Sequence, residues 1–277
     1  MQTYETLTDG ATPCSNNEKT LPIKTVYYEN ELEDEFSSKK ITPKVIDEKY
    51  DYLGGPLFKV IRAVLYRGIA TPLATLYCKT TLSHKVIGKE KLKSVKKGEG
   101  YFLYGNHTQE TADAFIPSLV TFPRSVYVIV HPNNVSMPVL GKLTPYLGAL
   151  PIPSNLKAMR SFKNAIDKRL IEGAVIAVYP EAHIWPFYTG IRPFPSTSFK
   201  YPVEFNAPSF AMTTTYQKRK RGIKPQAITY IDGPFYPDMS VCPKERAEKL
   251  RNEIYDAMVE RSKLSNCEYI RYERRED

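Results

Sequence analysis

Two short stretches of the chain bring together residue types that can move a proton. The first, Gly105-Asn106-His107-Thr108-Gln109-Glu110-Thr111-Ala112-Asp113, follows the apolar run Tyr101–Tyr104. The second, Tyr179-Pro180-Glu181-Ala182-His183-Ile184-Trp185, follows Ala174–Val178. Active sites of α/β domains collect just past strand ends, which is where both stretches fall. A histidine there can take a proton from a hydroxyl if a carboxylate holds its other ring nitrogen, because the carboxylate fixes the tautomer and stabilises the imidazolium. His107 is therefore the candidate general base. Two acids could orient it: Asp113, which an N-cap at Thr111 would place in the first turn of a helix, and Glu110, which is nearer in sequence. A metal site on His107, Glu110 and Asp113 would find suitable ligand types, but no other stretch shows ligand spacing, and no metal or redox cofactor is expected.

The elements that must hold these stretches can be read from the pattern of apolar residues. Beyond Leu92, short apolar runs alternate with helical stretches, which predicts an α/β fold with a mixed, largely parallel central sheet flanked by helices. The predicted strands are Tyr101–Tyr104, Ser125–Val130, Ala174–Tyr179, Ser209–Tyr216 and Ala227–Ile231. The predicted helices are Ala112–Val120, Val139–Leu147, Leu156–Glu172, Phe199–Phe205 and Pro243–Ser262. Ahead of them, residues 56–80 set Lys59, Arg62 and Tyr66 on one side of a helix and Phe58, Ile61, Val64 and Leu65 on the other. With a break near Gly68 and Thr71-Pro72 opening a second helix, this predicts an amphipathic hairpin, suited to a membrane interface or to packing on the core. Residues 1–55 are polar and locally acidic and read as an extended or loosely helical leader. The expected organisation is thus a leader (1–55), a hairpin (56–80) and an α/β domain (81–277).

GNHTQETADAF resembles the Asn-His, four-residue, Asp motif of the lysophospholipid acyltransferase family, which includes the 1-acylglycerol-3-phosphate acyltransferases. YPEA is similar to that family's later Phe-Pro-Glu-Gly motif, and the intervening LGALPIPSNLKAMRSFKNAIDKRLIEGAVIAV resembles its middle motif, long helix and strand. The resemblance covers about residues 80–235. It implies that His107 deprotonates an acceptor hydroxyl, Asp113 supports it, and the oxygen attacks the thioester carbonyl of acyl-CoA or acyl-carrier protein with no covalent enzyme intermediate. It further implies Glu181, Asn106, Glu110 and His183 as residues around the substrate. Amides near Pro180–His183 would be oxyanion donors. Three departures stand out. Five residues separate His107 from Asp113; the family's arginines are absent near Ser154 or Asn155 and after the Pro-Glu pair, where Ala182-His183-Ile184 stands; and a bulky Trp185 follows, which could line an acyl pocket, sit at an interface or fill the core. A phosphorylated acceptor would then need other cations, of which His183, Lys157, Arg160, Arg192 and Lys200 are closest in sequence to the motifs.

Composition bounds the partners. The chain has 277 residues, with 42% hydrophobic and 25% charged, which is ordinary for a globular enzyme and excludes a disordered or disulfide-stapled class. The formal charge of +9 favours an anionic partner. Taken with the family resemblance, the expected partners are an anionic membrane surface, acyl-CoA or acyl-carrier protein, and a lysophospholipid acceptor. Nucleic acid is not expected, since only the basic run YQKRKRGIKP would support it and no recognition motif accompanies it. The four cysteines are far apart in sequence and form no CxxC pair, so neither a zinc cage nor a disulfide framework is indicated. With no secretory pattern at the N-terminus and no stretch of about 18–20 apolar residues, a cytoplasmic protein peripheral to the membrane is expected.

Overall fold

The computed structural model describes residues 23–36, 41–220, 222 and 224–275. Cys14, the N-terminal residues read for a secretory signal, and Arg221 and Ile223 of the basic run lie outside the described residues. A seven-stranded sheet forms the centre, in the order β2 (Lys85–Ile87), β8 (Gln226–Phe235), β7 (Ser209–Gln217), β3 (Tyr101–Gly105), β6 (Val175–Val178), β4 (Val126–Val130), β5 (Ala149–Pro151). The β7–β8 pair is antiparallel and every other pair is parallel. The strands β3, β6, β4 and β5 therefore all end on one edge, and that edge receives both motif stretches.

The central strands are buried on both faces, and their side chains alternate between two cores. Phe102, Tyr104, Ile176, Val178 and Ala211 pack on one side with α6 (Leu156–Ile171) and α8 (Pro243–Ser262). Tyr101, Leu103, Val175, Ala177, Phe210 and Met212 pack on the other with residues of the helical segment before β2 and with α3 (Ile116–Thr121). Helix α6 begins where Asn155 caps it, its side-chain oxygen accepting from Ala158 N at 2.9 Å.

The segment before the sheet is not a hairpin. Helix α1 (Pro56–Arg62) runs through a π-helical stretch (Ala63–Ala70) straight into α2 (Thr71–Thr81), with no break at Gly68. Pro72 is tolerated because it sits where the π pattern returns to α, and Thr71 there donates both its N–H and its hydroxyl to Tyr66 O. The π stretch has a geometric effect. The buried positions Arg62, Tyr66, Ala74 and Cys78 are spaced by four residues or multiples of four. In a pure α-helix of 3.6 residues per turn a four-residue repeat drifts by about 40° at each step. Wider i→i+5 turns take up the drift and keep one stripe against the core. The opposite stripe, Leu57, Val60, Val64, Ile69, Leu73 and Leu76, is left exposed.

A parallel pair of strands, β1 (Lys24–Tyr28) and β9 (Ile270–Arg274), joins the two ends of the described chain. Cys267, just before β9, is buried and disulfide-bonded, a pairing that the spacing of the cysteines did not indicate; Cys78 and Cys242 are free thiols.

His84, between α2 and β2, is half-buried with Nε2 2.8 Å from Thr229 Oγ1. Burial disfavours its charged form and lowers its pKa from 6.5 to about 4. A histidine depressed in the folded state contributes stability above the unfolded value that is lost as pH falls toward the folded one. His84→Gln is therefore expected to remove about 3 kcal/mol of the stability lost between roughly pH 6.5 and 4. Urea midpoints measured at pH 7 and pH 4 should differ less in the variant than in the wild type.

Candidate active site

Strand β3 ends at Gly105, and Asn106 anchors the turn that follows. Its side-chain amide donates to Thr214 O at 2.9 Å and accepts from Thr214 N at 2.8 Å, extending the ladder toward β7. Asn106 is buried and its polar atoms are spent on this clamp. His107 then places Nδ1 2.8 Å from Asp113 Oδ2. The same oxygen accepts from Thr108 N and Gln109 N, each at 2.9 Å. A carboxylate only accepts, so Nδ1 carries the proton and Nε2 keeps its lone pair. The imidazole is 18% exposed and the Asp113 side chain 3%, which leaves the ring reachable and the carboxylate enclosed. Glu110, the other possible orienter, lies on the exposed side of the turn and makes no bond to the imidazole.

The five-residue separation from His107 to Asp113 is absorbed by tight winding. Asp113 sits in a one-turn 3₁₀ segment (Ala112–Ala114), and the chain from 107 to 109 wraps around its carboxylate. Tyr216 on β7 secures the far side of this turn, bonding Thr108 Oγ1 at 2.7 Å and receiving the Gln109 amide at 2.9 Å.

The second stretch leaves β6 and passes directly behind the first. Glu181 Oε2 accepts His107 N at 3.0 Å, and Trp185 N donates to His107 O at 3.0 Å. Glu181 is wholly enclosed with Arg192: the guanidinium lies 3.3 Å from Oε2, and Arg192 N donates to Oε1 at 3.1 Å. Burial raises the Glu181 carboxyl above its ordinary value; Arg192 and the amides of His107 and Arg192 act against that rise. Arg192 also donates to His183 O and Glu31 O and lies 4.8 Å over the Trp185 ring. It is therefore committed to the protein and is not a free cation for a ligand. No local pattern in the sequence marks this pairing.

Several other expectations are redirected by the geometry. The amides of Ala182, His183, Ile184 and Trp185 already donate to Tyr179 O, Glu181 O, Glu35 and His107 O, so these four are not free oxyanion donors. Ala182 has φ +64°, the left-handed region in which glycine is comfortable, which accounts physically for the glycine usual at this place in the resembling motif. Trp185 is core: fully buried, it stacks on Tyr272 of β9 at 4.9 Å and donates Nε1 to Asp34 O at 2.8 Å. His183 Nδ1 pairs with Glu35 at 3.2 Å, and Ser154 is tied by two 2.9 Å bonds to Ile46. Positions where arginines were missed thus hold the leader instead. Lys157 and Arg160 are exposed on the first turns of α6, following β5 at the same sheet edge as His107, and their side chains make no hydrogen bond among the described residues. Among the described residues, no group of three or more His, Cys, Asp or Glu could hold a metal.

Fold and site together define an α/β protein with a histidine–carboxylate dyad at the carboxyl edge of a largely parallel sheet, a class equipped for base-assisted attack by a hydroxyl. The family model described as Acyltransferase matches residues 83–223, a little over half of the chain, and the chain belongs to that family. Among solved structures it is similar to the 1-acyl-sn-glycerophosphate (LPA) acyltransferase PlsC of Thermotoga maritima, at 15% identity and a TM-score of 0.50, over 76% of this chain and 96% of that one. That likeness shows a shared fold. No curated protein matches the sequence.

Proposed function

We propose that this acyltransferase moves a fatty acyl group from acyl-CoA or acyl-carrier protein to the hydroxyl of a lysophospholipid resembling lysophosphatidate, in glycerophospholipid synthesis. The observation that carries the reading is the oriented imidazole: Nδ1–H is held by Asp113 at 2.8 Å, and Nε2 is available to the acceptor hydroxyl. His107 takes the hydroxyl proton as the oxygen attacks the thioester carbonyl, the C–S bond breaks, and the proton passes to the departing thiolate. Glu181 braces the His107 turn, and Asn106 and Tyr216 fix its two ends. Lys157, Arg160 and Lys200 are the exposed cations proposed to meet an anionic headgroup, with Glu110 and His183 at the margin of the site.

One observation favours a second acceptor class. Ser154 and His183 both engage the leader, so a non-phosphorylated hydroxylated lipid is the alternative. Incubation with labelled acyl-CoA and a panel of acceptors, from lysophosphatidate to monoacylglycerol, alongside His107→Ala, tests both. Transfer to lysophosphatidate lost in the variant supports the first reading, and transfer confined to uncharged acceptors supports the second. Lipid binding with no transfer by either protein would overturn catalysis.

The proposed setting is the cytoplasmic surface of a membrane with anionic lipid. Among the described residues no helix is long and apolar enough to cross a bilayer. The exposed stripe of α1–α2, flanked by Lys59, Arg67 and Lys79, has the form of an interfacial helix. Val64→Glu combined with Leu73→Glu, both at exposed positions, is expected to leave folding intact and weaken sedimentation with anionic vesicles roughly tenfold or more. Unchanged sedimentation would count against this surface.

A further inference from the structure

The ring of Tyr179 lies against the imidazole of His107, the centroids 4.5 Å apart and the planes inclined by 20°. The arrangement is built from several directions. Tyr179 leaves the end of β6, next to β3 in the sheet, and its hydroxyl donates to Asp113 O at 2.6 Å. The residue that orients the imidazole in its plane therefore also pins the ring that covers its face. Gly105 makes room: a Cβ there would stand 2.8 Å from Tyr179 Cε1 and 2.8 Å from Met212 Cε.

We propose that Tyr179 is a positioning residue for acyl transfer, its ring face seating the His107 imidazole and stabilising the imidazolium formed as the acceptor hydroxyl is deprotonated. The proposal rests on the reaction given above. In that step the hydroxyl proton moves to Nε2 while the oxygen bonds to the thioester carbon, so the ring gains a positive charge. The charge leaves when the thiolate takes the proton. An aromatic face attracts such a cation through its quadrupole. Asp113 acts in the imidazole plane and Tyr179 perpendicular to it, so the two do not substitute for each other. Because the charge develops only during the chemical step, the effect belongs in kcat rather than in KM.

Steady-state kinetics of Tyr179→Leu and Tyr179→Phe, measured beside wild type, test this. Loss of the ring in the leucine variant is expected to lower kcat about thirtyfold with KM held within about twofold. The phenylalanine variant keeps the ring and loses one hydrogen bond, and is expected to stay within about fivefold. A leucine variant within about twofold of wild type overturns the proposal, as does a phenylalanine variant that falls as far as leucine. A second readout is independent of turnover. In NMR spectra the His107 ring protons should be shifted upfield by the stacked ring, retain that shift in Tyr179→Phe and lose it in Tyr179→Leu. If wild type transfers no acyl group to any acceptor, the proposed reaction fails. The NMR comparison then still decides the seat, and His107 signals unmoved by leucine would overturn it.

Discussion

His107→Ala is expected to fold as wild type and to transfer acyl groups about 10²–10⁴ times more slowly, the range a positioned general base contributes. The fold should survive because the turn is held mainly by backbone and neighbouring side chains. Asn106 is clamped to Thr214, Thr108 N and Gln109 N bind Asp113, and Glu181 grips the amide of residue 107, which alanine retains. Asp113→Asn should combine a comparable loss of rate with some loss of stability. Its Oδ2 receives three N–H donors, and an amide offers one oxygen where the carboxylate spread a full charge. Turnover with labelled acyl-CoA, normalised to folded protein by circular dichroism, separates the two variants. Substantial transfer by His107→Ala would remove the imidazole from the mechanism.

The largest effect on stability is expected from Arg192→Met. Glu181 and Arg192 have no exposed side-chain surface, so deleting the guanidinium leaves a buried carboxylate with only two amide donors. Breaking a buried pair on one side typically costs about 3–5 kcal/mol, which for a chain of this size lowers the melting temperature by roughly 6–10 °C. The pH dependence carries a sign that identifies the cause. A carboxyl raised in the folded state contributes stability that is full below its unfolded value and lost as pH rises through the folded one. Glu181 is already raised by burial, and the variant removes the largest opposing influence. The melting deficit should therefore be smaller at pH 5 than at pH 8. Combining Arg192→Met with Glu181→Gln should recover part of the loss. A deficit that does not change with pH would show that packing against Trp185, rather than the charge on Glu181, dominates.

The dyad and the sheet were legible because their signals are local. Tyr101–Tyr104, Ala174–Tyr179 and Ser209–Tyr216 are continuous apolar or β-branched runs, and the corresponding strands lie within a residue or two of them. Leu156–Glu172 and Pro243–Ser262 likewise became α6 and α8. Strands β2 and β5, at three residues each, are too short to display alternation. The helix expected over Val139–Leu147 shrank to α5 (Leu140–Leu143): Val139 adopts φ +60° and Pro145 removes a donor. The π-helical register of the α1–α2 segment was hidden because a glycine and a proline-led turn read as a break. The Glu181–Arg192 pair and the burial of Trp185 depend on the leader and on β9, which no window of sequence around the motifs contains.

The β1–β9 pairing has a consequence for the order of assembly. Lys24 is matched with Ile270, so the first described strand has no partner until the last has left the ribosome. Until then the aromatic nest around Trp185, to which Tyr28, Phe36 and Tyr272 all contribute, stays open, and the backing of the histidine turn is incomplete. A chain synthesised only through Ser262 would already possess the whole seven-stranded sheet and both halves of the dyad while lacking this closure.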